Sequence, residues 1–185
     1  IIDGTITSTV TVSVNDGISD DNFDGVADQT VSVSTTDNDV AGFTIAQSGG
    51  STSVSEAGTT DTFTVVLNAQ PASDVVLSLT SSDTGEATVT GTLSFTSGNW
   101  NTAQTVTVTG IDDNIIDGAI TSTLTITIVD AISDDNFDGV ADQTVSASTA
   151  DNDAAGFTIT ETGGSTSVSE SATTDTFTVV LTAQP

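Results

Sequence analysis

The sequence predicts an all-β protein built as tandem antiparallel β-sandwiches. Three observations carry that prediction. Apolar and polar residues alternate with period two in short runs, β-branched Thr, Val and Ile dominate those runs, and the whole pattern repeats at long range. No stretch carries a helical period.

The long-range repeat organises everything else. Ile1–Pro71 aligns with Ile115–Pro185 without a gap, a period of 114 residues, and 55 of the 71 pairs are identical. A unit of that length is too long for a solenoid turn and suits an independent sandwich. Taken in order, the strands are expected at Gly42–Ala46, Ser51–Ser55, Thr62–Asn68, Val75–Thr80, Ala87–Thr90, Thr92–Thr96, Thr105–Thr109, Ile120–Val129 and Thr144–Ser148. Gly-Gly, Ser-Gly, Asp-Gly and Ser-Asp turn signals lie between them. Natural boundaries fall at the two Asp-Asn-Asp triplets. On that cut, residues 1–39 close one repeat, residues 40–153 form a complete one, and residues 154–185 open the next. The chain begins and stops mid-pattern, and we expect it to be part of something longer.

Composition excludes several functions. The chain has no Lys, Arg, His or Cys against 26 carboxylates, of which 22 are Asp and four Glu. No side-chain salt bridge is available, so the negative charge must be solvated, spread apart or neutralised by bound cations. Disorder is not the expectation, because about a third of the residues are apolar (35%) and alternate as strands do. Without Lys or Arg, nucleic acid is excluded as a natural partner. Without Cys there is neither a disulfide framework nor a thiolate zinc site. No run of 18 apolar residues is present to cross a membrane as a helix. Catalysis is not expected either. No hydroxyl has a His, Lys or Tyr beside it as base, and a glycosidase-like carboxylate pair has too few aromatics around it.

One stretch stands apart. Ser19–Thr30 reads Ser-Asp-Asp-Asn-Phe-Asp-Gly-Val-Ala-Asp-Gln-Thr and recurs unchanged at Ser133–Thr144, although the strands before it differ. Asp20, Asn22, Asp24 and Asp28 place oxygens at positions 1, 3, 5 and 9, with Gly25 at 6 and the Val26 carbonyl at 7. The second copy offers Asp134, Asn136, Asp138, Val140 and Asp142. That spacing resembles an EF-hand-like calcium loop, shortened because Val31 or Val145 replaces the bidentate Glu at position 12. The competing reading is a polar Asx turn whose Asp-Gly serves only the turn. Phe23 and Phe137 would tie the loop to the sandwich edge.

The complete unit also resembles a Calx-β domain, in the tandem form found in giant secreted bacterial surface proteins. The segments that carry the resemblance are Gly42–Pro71, Gly91–Trp100, Gln104–Gly118 and the closing Asp151–Asp153, and it extends over the whole chain. The resemblance implies an immunoglobulin-like sandwich with calcium held by acidic loops at one end. Matched position by position, the implied ligands are Glu56, Asp83, Asp112, Asp113, Asp117, Asp151 and Asp153. The incomplete repeats keep pieces of the same set, Asp3, Asp37 and Asp39 at the start and Glu170 at the end. Two departures from the family pattern lower the expected ion count to one or two: the acidic run after Asp113 is reduced to Asp117, and Asn152 interrupts the last motif.

Together these readings predict a non-catalytic, calcium-stiffened structural or adhesive module of a large extracellular protein. Its partners would be neighbouring repeats and other copies in a filament or matrix. An alternative is a module that binds glycan, mineral or ice through Thr-rich faces or Trp100, although Trp100 covering the end of the core is the simpler role. A calcium-sensing regulatory domain is a third reading, against which the near-identity of the repeats counts.

Overall fold

The computed structural model describes residues 1–184, and thirteen strands run through it. They are β1 (Ile6–Val12), β2 (Gln29–Thr35), β3 (Phe43–Gln47), β4 (Thr52–Ser55), β5 (Thr60–Leu67), β6 (Val75–Ser81) and β7 (Ala87–Val89). They continue with β8 (Thr92–Phe95), β9 (Gln104–Gly110), β10 (Ile120–Ile128), β11 (Gln143–Ala150), β12 (Phe157–Glu161) and β13 (Phe177–Leu181). Each of the nine strands expected between residues 42 and 148 is present, with ends shifted by at most two residues.

Strands β3–β11 make an all-β sandwich. One sheet has the order β4-β11-β10-β6-β8 and the other β3-β5-β9-β7. Every pairing is antiparallel except β11 with β4, which run parallel from Ala147↔Thr52 to Ala150↔Ser55. The alternation read from sequence is the alternation of burial. On β10, Ser122, Leu124, Ile126 and Ile128 face inward while Thr121 and Thr123 are exposed. Val75, Leu77 and Phe95 line the same sheet, and Phe63, Val65, Val106 and Val108 the opposing one, all essentially free of solvent contact. Burying such aromatic and branched side chains is the main term that outweighs chain entropy. Trp100 is half-buried and packs against this core from one end.

The remaining strands form two isolated hairpins, β1-β2 and β12-β13, whose residues are exposed throughout. By the 114-residue register β1-β2 match β10-β11 and β12-β13 match β3-β5, each without the strands that face them in the sandwich. No helix among the described residues is long and apolar enough to cross a membrane.

Candidate functional site

The acidic residues implied by the Calx-β resemblance gather at one end of the sandwich, and local pairing explains how. Thr52, Val54 and Glu56 lie on one face of β4 and its continuation, so the alternation that buries Val54 also buries Glu56, which is 1% exposed. Gly110, at the end of β9, lets the two backbones approach closely. A Cβ there would collide with the Ser55 carbonyl and displace the residue that precedes Glu56.

Two triads of carboxylates have oxygens within 4.8 Å of one another: Glu56, Glu86 and Asp117, and Glu56, Asp151 and Asp153. Glu56 belongs to both, which makes it the hinge of the cluster. Asn152 N–H donates to Glu56 Oε2 at 3.0 Å, and Asn152 Nδ2 donates to Asp112 Oδ1 at 3.0 Å. Asn152 therefore does not break the closing motif but ties its ends to the rest of the site. Asp151 accepts from Gly118 N–H (2.8 Å) and Asp153 N–H (2.6 Å), holding the segment with Asp117 against the end of β11.

The electrostatics follow from the lack of any Lys, Arg or His. The Asn152 amide draws the Glu56 carboxyl down, but burial and the charges of Asp151, Asp113 and Asp117 outweigh it and leave the group raised. Burial raises Glu86, and Asp117, Glu56, Asp113 and Asp83 raise it further. Asp153 is raised by burial and then by Asp151 and Asp112. Asp151 goes the other way, held low by the Asp153 and Gly118 amides. Two oxygens, Glu86 Oε2 and Asp153 Oδ2, are buried with no hydrogen-bond partner. Buried carboxylate oxygens left without a donor are costly, and a cation bound beside them removes that cost.

The other implied ligands take lesser parts. Asp113 Oδ1 accepts from Ile115 N–H at 2.7 Å, and Asp83 Oδ1 accepts from Gly85 N–H at 3.0 Å, so both shape their own turns. Glu86 was not among the residues singled out from sequence. Alternation gives no signal for it, because its neighbour Ala87 is the inward residue of β7. It is buried at the sandwich end, where its carbonyl continues the β7-β9 ladder to Ile111 N–H and also accepts from Thr149 Oγ1 of the other sheet.

In the first repeat, Asp37 reproduces the Asp151 clamp, accepting from Asp3, Gly4 and Asp39 N–H at 2.8–3.0 Å. Glu170, the counterpart of Glu56, lies in an exposed turn.

The twelve-residue loops have a geometry of their own. Neither Asp20, Asp24 and Asp28 nor Asp134, Asp138 and Asp142 form a set of converging oxygens of the kind found around Glu56. Asp20 and Asp134 instead cap a short 3₁₀ turn, accepting from the Asn22 and Asn136 amides at 2.9 and 3.0 Å. Asp134 is buried and also accepts from Ala72 N–H (2.6 Å) and Ser73 N–H (2.8 Å). Burial works to raise its carboxyl, and the hydrogen bonds from Ser73, Asn136 and Ala72 more than reverse this, leaving it low. Asp138 is exposed and stays on the surface side of the turn. The carbonyls of Val26 and Val140 are not engaged within the loop, whereas their N–H groups donate to the Phe23 and Phe137 carbonyls. The Asp20 and Asp134 caps are those of an Asx turn, and the two unengaged carbonyls are those the cation loop would use.

No family model and no curated protein matches the chain. Among solved structures it is similar to domains 4 and 5 of the S-layer protein SbsC, at 25% identity and a TM-score of 0.45. That match covers 78% of this chain and 57% of that one, so the chain spans little more than half of the S-layer structure. It is also similar to the apo form of the Calx CBD1 domain (16% identity, TM-score 0.43, 60% of this chain and 98% of that one). A third is CBD12 of CALX1.2 (18%, 0.42, 63% and 48%).

Proposed function

We propose that the chain is a run of non-catalytic, calcium-stiffened sandwich modules from a large extracellular surface or matrix protein, with residues 40–153 as one complete module. The carrying observation is the Glu56–Glu86–Asp117 and Glu56–Asp151–Asp153 cluster, centred on buried Glu56 and Glu86, with two unpartnered oxygens and no basic side chain anywhere in the chain. Oxygen-only donors fit a hard cation, and the absence of His and Cys disfavours zinc or copper. Calcium would be held by Glu56, Glu86, Asp117, Asp151 and Asp153, with Asp112 and Asp113 adjoining, and would neutralise charge that otherwise opposes folding. Because the ligands come from β4, the turn before β7, the segment after β9 and the end of β11, an ion there ties both sheets together. Modules of this kind, joined end to end, make an extended rod.

Calorimetric titration of calcium into the chain tests this. At calcium near one hundred times its dissociation constant, an ion should add about 2.7 kcal/mol, raising the midpoint by roughly 10–20 °C over EDTA. Glu86→Gln should weaken binding sharply, whereas Asp24→Asn should not. No heat of binding, together with a melting curve indifferent to EDTA, overturns the proposal.

A further inference from the structure

The repeated twelve-residue loop sits at the end of the sandwich away from the ligand-bearing segment that follows β9, next to the turn after β5. It is bolted there. Asp134 N–H donates to the Asp74 carbonyl (2.9 Å), Val76 N–H donates to Ser133 Oγ (3.0 Å), and the Asp134 carboxylate takes the Ala72 and Ser73 amides. Phe137 fills the core beneath it. Between this loop and Gln70 lies a residue from the other side of the sequence boundary. Ile2 N–H donates to the Gln70 carbonyl at 3.1 Å, its own carbonyl accepts from Asn136 Nδ2 at 3.4 Å, and its side chain joins the sandwich core at 8% exposure.

The same contact occurs a second time, one period further on. Ile116 is the counterpart of Ile2 and Gln184 of Gln70, and Ile116 N–H donates to the Gln184 carbonyl at 3.2 Å. Ile115 and Gln184 also form a parallel bridge. The backbone contact thus forms in both places, and at Ile2 the loop adds the Asn136 hydrogen bond while the complete sandwich buries the side chain.

We propose that the twelve-residue loop is a socket for the preceding repeat. Its occupant is the Ile-Ile-Asp-Gly segment, Ile1–Gly4 here and Ile115–Gly118 one repeat later. Asn136 grips the isoleucine backbone, while Phe137 and buried Pro71 lie at the same end. The Asn136 amide is itself held by Asp134 Oδ1 at 2.9 Å, so the buried carboxylate aims the gripping group. Within one segment, Asp117 enters the acidic cluster of its own repeat while adjacent Ile116 enters the next repeat. Joint and cluster therefore share a backbone, and the loop is invariant because it is an interface. The inference rests on reading the chain as tandem repeats and does not rest on calcium.

The lack of cysteine makes the test clean. Ile2→Cys with Gln70→Cys, and separately Ile116→Cys with Gln184→Cys, are oxidised mildly in the full chain, and disulfide formation is followed by mass. Both pairs should close. Adding Asn136→Ala should slow the first pair about tenfold, the scale of one lost hydrogen bond, and leave the second unchanged. Asp138→Asn with Asp142→Asn should affect neither, in calcium or in EDTA. The socket is overturned if the first pair does not close or ignores Asn136→Ala. It is equally overturned if the Asp138 and Asp142 changes slow closure as much as Asn136→Ala, since the loop would then act as a cation site. Loss of calcium binding at Glu86→Gln with closure intact leaves the socket standing, so the two proposals fail separately.

Discussion

Ser19–Thr30 and Ser133–Thr144 are the same twelve residues in two surroundings, and they adopt the same backbone. The capping residue has φ −65° and ψ 131° at Asp20, and φ −61° and ψ 122° at Asp134; the turn closes at −58°, −27° on Asp24 and −57°, −30° on Asp138. Yet Phe23 is 57% exposed whereas Phe137 is completely buried. Asp20 caps its own turn and touches nothing distant, while Asp134 also holds the Ala72 and Ser73 amides. The Asx-type cap is local and forms wherever the sequence occurs. Anchoring of the aromatic ring and the second pair of hydrogen bonds need an opposing sheet.

The other shared sequences teach the converse. Thr52–Ser55 is a strand because β11 lies beside it, but its identical counterpart, residues 166–169, is irregular and has no such partner. Likewise β5 spans Thr60–Leu67 against β9, whereas β13 covers only Phe177–Leu181. Ala172 stands where Gly58 serves, and both have positive φ, 63° and 74°. The turn demands that conformation, and glycine meets it with less strain.

The comparison between the two loops can be broken by substitution, and the largest effect is expected at the phenylalanines. Phe137→Ala should cost about 3–5 kcal/mol through lost burial and a cavity. Phe23→Ala should leave urea unfolding of the sandwich unchanged. Equal effects would mean that the first loop is also packed in solution.

Next come the capping aspartates. Asp134→Ala strips partners from two distant backbone amides and should cost about 2–4 kcal/mol. Asp20→Ala should leave the sandwich midpoint where it is. If the two variants melt alike, the clamp on Ala72 and Ser73 does not hold the sandwich together.

A third test separates the two ends of the sandwich by pH. Glu56, Glu86 and Asp153 are raised in the folded state, so without metal the folded form binds protons more readily than the unfolded one. Their effect is loss of stability as pH rises through the ordinary carboxylate range, roughly 4–5, and onward to the raised values. Asp134 is lowered, so its contribution is present above the ordinary aspartate value and disappears as pH falls below it. In EDTA, urea midpoints should therefore peak in mild acid and decline toward neutrality. Glu86→Gln should flatten the decline, and calcium should cancel it. A midpoint that rises steadily to pH 7 in EDTA contradicts the repulsion argued for the cluster.

The smallest effect concerns the strands before the loops. Ile126→Val, inside the sandwich, should cost about 0.5–1.5 kcal/mol. Val12→Ile, its mirror change on exposed β1, should cost nothing measurable by the same denaturation assay.

How much was legible beforehand depends on the range of the interaction concerned. Strand positions and inward faces are properties of neighbours along the chain, and alternation reported them correctly. The positions of Glu56, Asp117, Asp151 and Asp153 could be marked by resemblance, and Glu56 by its parity with Val54. Glu86 escaped because it is buried where the end of β7 meets Thr149 of the other sheet, which no local pattern records. The oxygen spacing of Asp20–Asp28 and Asp134–Asp142 suggested an ion, but spacing cannot say where a carboxylate turns. At Asp134 the backbone amides of Ala72 and Ser73 lie within reach. Alternation and the capped turns could be read from the chain alone, since they depend on residues a few positions apart. Only the tertiary structure decided which identical segment becomes a strand, which phenylalanine is buried and which carboxylates lack partners. Those outcomes depend on a second sheet packing across the core, and the same local sequence occurs both with that sheet and without it.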